Sequence, residues 1–218
     1  MRDRRTVVGE QIETGARTIG LELSDDAVAQ LVTLTGELQR WGKRINLTAI
    51  LEPDAIVSSH ILDSLAVDSY LQGPHIIDIG TGAGFPGLPL AIANPGMDFT
   101  LLDSNGKKIS FVKHMVGTLG LRNVTAVKAR AEDYAPGRRF DTVIARALAA
   151  VPRLVELAAQ LVREDGQLLA LKGKQPAAEL AALNALSEWD CSVTKITVPG
   201  LEAHARHVVS VRRKKSET

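Results

Sequence analysis

From His75 onward the apolar positions keep two alternating rhythms. Short apolar runs, "HIIDI", "MDFTLLD", "VTAVKAR", "RFDTVIAR" and "GQLLALKG", read as strands. Between and after them stand "FPGLPLAIA", "GKKISFVKHMVGTLG", "AAVPRLVELAAQLVR" and "PAAELAALNALSEW", whose apolar residues recur three and four apart, as on a buried helix face. Two final runs, "DCSVTKITVP" and "RHVVSVRRK", are joined by a connection without a helix pattern, which predicts an antiparallel pair. The pattern therefore predicts an α/β fold: a doubly wound, seven-stranded, Rossmann-like sheet with its last strand pair antiparallel.

The first third is patterned differently. Residues 1–20 read as a charged arm interrupted by glycines. "SDDAVAQLVTLTGELQRW" predicts a helix with Ser24 as N-cap, two aspartates complementing the helix dipole, and a stripe of Val28, Leu31, Leu34 or Thr35, Leu38 and Trp41. A break over "GKRINLTAI" follows, and Pro53 can open a second helix, "PDAIVSSHILDSLAVDSYL". Residues 1–72 are thus expected to form a small helical cap and 73–218 the α/β domain.

Composition narrows the chemistry little. The 218 residues suit one such domain with a modest appendage, and the formal net charge is +1. Residues 1–75 hold 7 basic against 11 acidic residues, and residues 76–218 hold 19 against 14, which permits a polyanionic partner for the larger part. A single cysteine, Cys191, excludes a disulfide framework, and it is expected to be a small buried residue. His204 and His207 lack partners at ligand spacing, so no metal site is read. No apolar run is long enough to span a bilayer, and a cytoplasmic protein is expected.

The chemistry concentrates in "HIIDIGTGAGFPGLPLAI". Gly82, Gly84 and Gly87 match the dinucleotide string G-x-G-x-x-G, but the first glycine after the strand is Gly80, which puts that string out of register. Read from Gly80 the loop is G-x-G-x-G with Asp78 inside the strand, the pattern of S-adenosylmethionine-dependent methyltransferases. Glycines there let backbone approach the amino-acid end of the cofactor, and an acid is useful beside an ammonium and a sulfonium. A plain tight turn is the bland alternative. Asp103, ending the second strand, can accept hydrogen bonds from both ribose hydroxyls or simply cap a helix. Ala131, Glu132 and Asp133, after the third strand, suit the adenine edge or a solvated loop.

"WGKRINLT", "HILDSLAV", "IDIGTGAGFPGLPLAI", "FTLLDSNGKKISFV", "RAED", "FDTVIARAL" and "LALKGK", in this order and spacing, resemble the bacterial small-subunit (16S) ribosomal RNA guanine-N7 methyltransferases, the glucose-inhibited division protein B family. The resemblance spans about Leu21 to Arg212. It implies methyl transfer from S-adenosylmethionine to N7 of a guanine in small-subunit rRNA, free or in the assembled subunit. It places Gly80 and Phe85 in the first cofactor loop, Asp103, Ser104 and Asn105 at the ribose, Ala131 and Glu132 at the adenine, and Arg146 in the cofactor pocket. N7 of neutral guanine carries a lone pair, so no general base is required, and catalysis should be mostly aim and exclusion of water.

Around that centre the sequence offers RNA contacts, each with a plain structural counterpart. Lys172 and Lys174 flank Gly173 at the end of the fifth strand, in reach of phosphates or in a solvated turn. Lys43, Arg44 and Asn46 lie beside Trp41, which fits the helix core better than a base-stacking site. His60 and Asp63 stand one turn apart and can pair, as a cap-to-sheet contact or as a roof over the site. Arg146 can meet the cofactor, guanine O6 or a phosphate, or pair with a local carboxylate; a fork on both O6 and N7 would occupy the reacting lone pair. The tail Arg212 to Lys215 can be solvated or add RNA affinity. Three other functions share these features: a methyltransferase of another acceptor, a nicotinamide-dependent oxidoreductase, and an RNA-binding protein without catalysis.

Overall fold

The computed structural model describes residues 4–45, 47–174, 177–179 and 188–214. Asn46, Lys215 and most of the expected "PAAELAALNALSEW" helix lie outside the described residues. Seven strands form one sheet: β1 His75–Ile79, β2 Asp98–Asp103, β3 Val124–Lys128, β4 Phe140–Arg146, β5 Val162–Lys172, β6 Trp189–Ile196 and β7 Arg206–Arg213. Their order is β3-β2-β1-β4-β5-β7-β6; β1 to β5 run parallel, and β7 is antiparallel to both neighbours. Strand order reverses between β1 and β4, where a ligand crevice opens at the carboxyl ends. The near-continuous apolar sequences of β1 and β4 follow from this central position, which buries both faces.

The helices are α1 Arg4–Thr18, α2 Asp25–Ile45, α3 Pro53–Ile56, α4 Asp63–Leu65, α5 Gly87–Ala93, α6 Gly106–Leu119 and α7 Val151–Ala159. Ser24 Oγ accepts the Ala27 amide at 3.2 Å and so caps α2. Leu31, Leu34, Thr35 and Leu38 of its stripe are buried, and Trp41 packs edge-on against Phe111 of α6, with ring centroids 5.6 Å apart. Gly120, with φ 64°, ends α6 in the left-handed conformation.

Four expectations are corrected. Residues 1–20 are not an arm, because α1 buries Val8, Ile12 and Ala16. The four-residue spacing of those side chains is helical; Gly15 lets the helix close onto Leu62, whose Cδ1 a Cβ there would meet, and Gly9 faces Val28 and Val32 at ordinary contact distance. The segment after Pro53 is not one regular helix, because a π-helical turn, Val57–Leu62, separates α3 from α4. The helix after β4 stops at Ala159, and its expected last residues already belong to β5. Cys191 is half-buried, since β6 is an edge strand.

A single apolar cluster joins Ile12, Leu31, Leu34 and Ile61 of the N-terminal helices to Ile76, Phe99 and Ile144 of the sheet. A second covers the opposite sheet face, where α7 packs through Leu154, Val155 and Ala158. Among the described residues, no helix is long and apolar enough to cross a membrane.

Candidate active site

The loop leaving β1 is built by its glycines. Gly80, Gly82 and Gly84 have φ of 69°, 62° and 90°, where a side chain is strained. Asp78 holds the loop from beneath. Its Oδ2 accepts the Thr81 hydroxyl at 2.6 Å and the Gly87 amide at 2.9 Å. Its Oδ1 is buried without a partner. Burial pushes this carboxyl up to about 6, against the lowering effect of those two hydrogen bonds. The fully buried Asp78 is absent from the cavity wall, so it supports the loop instead of facing a sulfonium. Gly84 is likewise absent; a Cβ there would meet Leu88 at 2.3 Å, so the close approach it permits is to α5.

A cavity of about 660 Å³ opens above the strand ends. Gly80, Gly82 and Phe85 line it from the first loop, Asp103, Ser104 and Asn105 from the end of β2, Ala131 and Glu132 from beyond β3, and Arg146 from the end of β4. Asp103 takes the Gly82 amide on Oδ2 at 2.9 Å and the Asn105 amide on Oδ1 at 2.7 Å, so one carboxylate ties two loops together. Leu102, Ala129, Ala131 and Leu157 make an apolar slot beside it. Glu132 is exposed and paired with Arg153 at 3.0 Å; a bond to its own backbone, then Arg153, keeps its carboxyl below the usual range. The set fits an adenosyl cofactor: an acidic acceptor for a ribose, a flat apolar slot for a base, and bare backbone at Gly82, where a Cβ would meet nothing nearer than Lys108 Nζ at 3.9 Å.

The cap supplies the roof. Leu47, Thr48 and His60 line the same cavity. His60 stacks on Phe85, with centroids 4.9 Å apart, and its Nε2 lies 3.0 Å from Thr48 Oγ1. Burial, reinforced by the Arg146 guanidinium and opposed by Asp63, lowers the His60 imidazole to about 4 and keeps it neutral at physiological pH. His60 and Asp63 do not pair. The i to i+5 bonding of a π turn displaces residues three apart from the common face an α-helix would give them.

Asp63 instead bridges two arginines. Arg146 Nη1 reaches its Oδ2 at 3.2 Å, and Arg206 Nε reaches its Oδ1 at 2.7 Å. Arg146 thus has both roles weighed for it: a carboxylate partner, and a place on the cavity wall with its guanidinium 5.8 Å from the Phe85 ring centroid. Arg206, Thr48, Lys108, Arg130 and Leu148 carry no local motif that marks them individually in the sequence. Arg206 was within reach of the sequence alone, since an antiparallel last strand must begin at the rim where its neighbour β5 ends.

Several expected RNA contacts are placed elsewhere. Lys172 Nζ is engaged by Ala149 O at 2.8 Å and Glu179 Oε2 at 2.9 Å, and lies off the cavity wall. Lys174 is exposed beyond it. Lys43 and Arg44 are exposed on the last turn of α2, also off the wall. Arg212 and Arg213 lie at the carboxyl end of β7, the end of the sheet opposite the cavity, bound to Gln167 and stacked on Trp189 respectively. Among the described residues, no group of three or more His, Cys, Asp or Glu could hold a metal ion.

Residues 27–209 match the family model described as rRNA small subunit methyltransferase G. The ribosomal RNA small subunit methyltransferase G of Vibrio campbellii is 46% identical over 200 residues, covering 90% of this chain and 92% of that protein. Its namesake from Alkalilimnicola ehrlichii is 44% identical over 199 residues, covering 91% and 90%. Among solved structures, an O-methyltransferase from Bacillus cereus in complex with S-adenosylhomocysteine is similar in fold, with a TM-score of 0.60, 15% identity, and coverage of 84% of this chain and 91% of that one.

Proposed function

The chain belongs to the rRNA small subunit methyltransferase G family, and we propose that the atom it methylates is N7 of a guanine in small-subunit ribosomal RNA, in the cytoplasm. It is an S-adenosylmethionine-dependent methyltransferase of that RNA. The observation that carries the finer reading is the wall of the cavity above the strand ends. It offers Asp103 as a ribose acceptor, an apolar slot, exposed backbone at Gly82, and Arg130 and Arg146; its two carboxylates are engaged, Asp103 by the Gly82 and Asn105 amides and Glu132 by Arg153.

In this reading residues 73–218 bind the cofactor and the 1–72 cap roofs the acceptor. Asp103 holds the ribose, with Ser104 and Asn105 beside it. Ala131 and Leu157 flank the adenine, Glu132 stands at its edge, and Gly80 and Gly82 leave room for the amino-acid end. Bound S-adenosylmethionine supplies a methyl made electrophilic by its sulfonium. Guanine N7 offers a lone pair without losing a proton, and the positive charge passes from sulfur to the methylated base. The protein is then asked to aim N7 and to keep water out. Neutral His60 fits this role, because it adds no positive charge where the base becomes cationic. Arg146, restrained by Asp63, is directed to O6 or a phosphate, leaving N7 free.

The test is transfer of labelled methyl to unmodified small-subunit rRNA and to the assembled subunit, with large-subunit rRNA as control and chemical cleavage at N7-methylguanine to map it. One cleavage site in small-subunit RNA is expected. Label at a base amino group, or in neither substrate, would overturn the reading.

A further inference from the structure

The turn that leaves β4 is unusual in three respects. Ala147 has φ 50°, the one positive value outside glycine among the described residues. Leu148, which follows it, is 42% exposed; only Val7 shares with it the status of an exposed large apolar residue among those described. Arg146, Ala147 and Leu148 nevertheless all line the cavity above the strand ends. Extended backbone sends successive side chains to opposite faces, so three consecutive residues can share a wall only if the chain kinks between them. The left-handed Ala147 supplies that kink, at a conformational cost that surrounding structure must sustain.

Leu148 is also placed by its neighbours. A Cβ added to Gly80 would lie 2.7 Å from Leu148 Cδ1, so the leucine rests directly over the bare backbone that begins the cofactor loop. Ile79 pairs with Ala145, which sets this contact at the reversal of strand order between β1 and β4. Phe85, from the same β1 loop as Gly80, meets the roof through its stack on His60, which in turn meets Thr48. Leu148 shares the cavity wall with the roof residues Thr48 and His60 and lies over Gly80, so an acceptor seated beneath that roof meets it. A single exposed leucine is ordinary; one held in a cavity wall by a strained neighbouring residue is where backbone strain points to a functional position.

We propose that Leu148 is an acceptor-positioning residue: an apolar shelf that takes the face of a purine drawn out of an RNA stack, with the strained Ala147 holding the shelf beside Arg146. This rests on the RNA-methyltransferase reading above. A base leaving its neighbours loses stacking on both faces, and an apolar side chain at the site restores part of it.

The experiment measures steady-state methyl transfer to small-subunit RNA, cofactor affinity and thermal midpoint for the wild type, Leu148→Ala, Leu148→Met and Ala147→Gly. A parallel RNA carries 2-aminopurine in place of the acceptor guanine, whose fluorescence rises when it unstacks. Leu148→Ala is expected to lower kcat/KM for RNA about tenfold or more, with a smaller fluorescence rise, while cofactor Kd and the midpoint hold. Leu148→Met should restore most of the activity. Ala147→Gly should lose activity without losing stability, because glycine adopts the same φ without strain but does not hold it. Unchanged kcat/KM in Leu148→Ala, or a loss matched by weaker cofactor binding, overturns the shelf alone. Wild-type protein that transfers no methyl to RNA overturns the function reading and the shelf with it.

Discussion

Asp78 and His60 lie beneath and above the same loop, and their titrations oppose each other. His60 is lowered from 6.5 to about 4, so the folded protein binds fewer protons than the unfolded chain between those values. Its contribution is lost as pH falls through that window. Asp78 is raised from 3.8 to about 6, so the folded protein binds more protons there, and stability falls as pH rises from about 4 to 6. Each shift is worth on the order of 3 kcal/mol, with opposite sign. Urea midpoints measured from pH 4.5 to 7.5 should therefore change little through these two groups in the wild type. In Asp78→Asn the midpoint should drop steeply below pH 6, and in His60→Gln it should rise as pH falls. A flat profile in both variants would remove the assignment. Asp63 makes a different demand, since it is buried between Arg146 and Arg206. Asp63→Asn leaves two guanidiniums facing each other and should lower stability by about 3 kcal/mol. It should also reduce methyl transfer more than cofactor affinity, read from kcat/KM beside a cofactor titration.

At the scale of elements, the glycine loop separates two reasons for being glycine. A Cβ on Gly87 would fall 2.1 Å from Leu101 Cδ2 and 2.9 Å from Asp78 Oδ2, so the close approach of α5 to β2 and to the loop's buried carboxylate excludes it. Gly82 has room around it but a φ of 62°. Gly87→Ala should therefore cost about 2–3 kcal/mol through packing. Gly82→Ala should cost about 1–2 kcal/mol through backbone strain and in addition weaken cofactor binding, since its methyl enters the cavity. Chemical denaturation paired with calorimetric cofactor titration distinguishes the two, and equal affinity losses would contradict the distinction. The π turn is the element no spacing rule revealed. "HILDS" reads as ordinary helix, and only packing of the turn against α1 and under the roof decides that His60 meets Thr48 while Asp63 turns to the arginines.

Across the whole molecule, the apolar cluster that runs from α1 and α2 into the sheet predicts that cap and sheet unfold together. Trp41 sits where α2 meets α6 and Trp189 begins β6, so single-tryptophan variants report from the two ends. Leu34→Ala, emptying a fully buried site, should cost about 3 kcal/mol and shift both reporters by the same amount; a shift of Trp41 alone would show separate units. The sequence by itself determined the strands, the antiparallel last pair, the Ser24 and Gly120 caps, and the approach of Gly80, Asp103 and Ala131 to one rim, while Arg146 was placed there by the family resemblance. These follow from local periodicity and from the rule that strand ends of a doubly wound sheet share a crevice. The spacing of Val8, Ile12 and Ala16 already allowed the helix over residues 4–18, whereas tertiary structure alone decided that Asp78 supports the loop from outside the cavity and that Lys172 belongs to Glu179. It also decided that Leu148 is turned over Gly80. Each of these depends on which surfaces meet across long stretches of chain, and a side chain's partner, burial and protonation exist only once those surfaces have met.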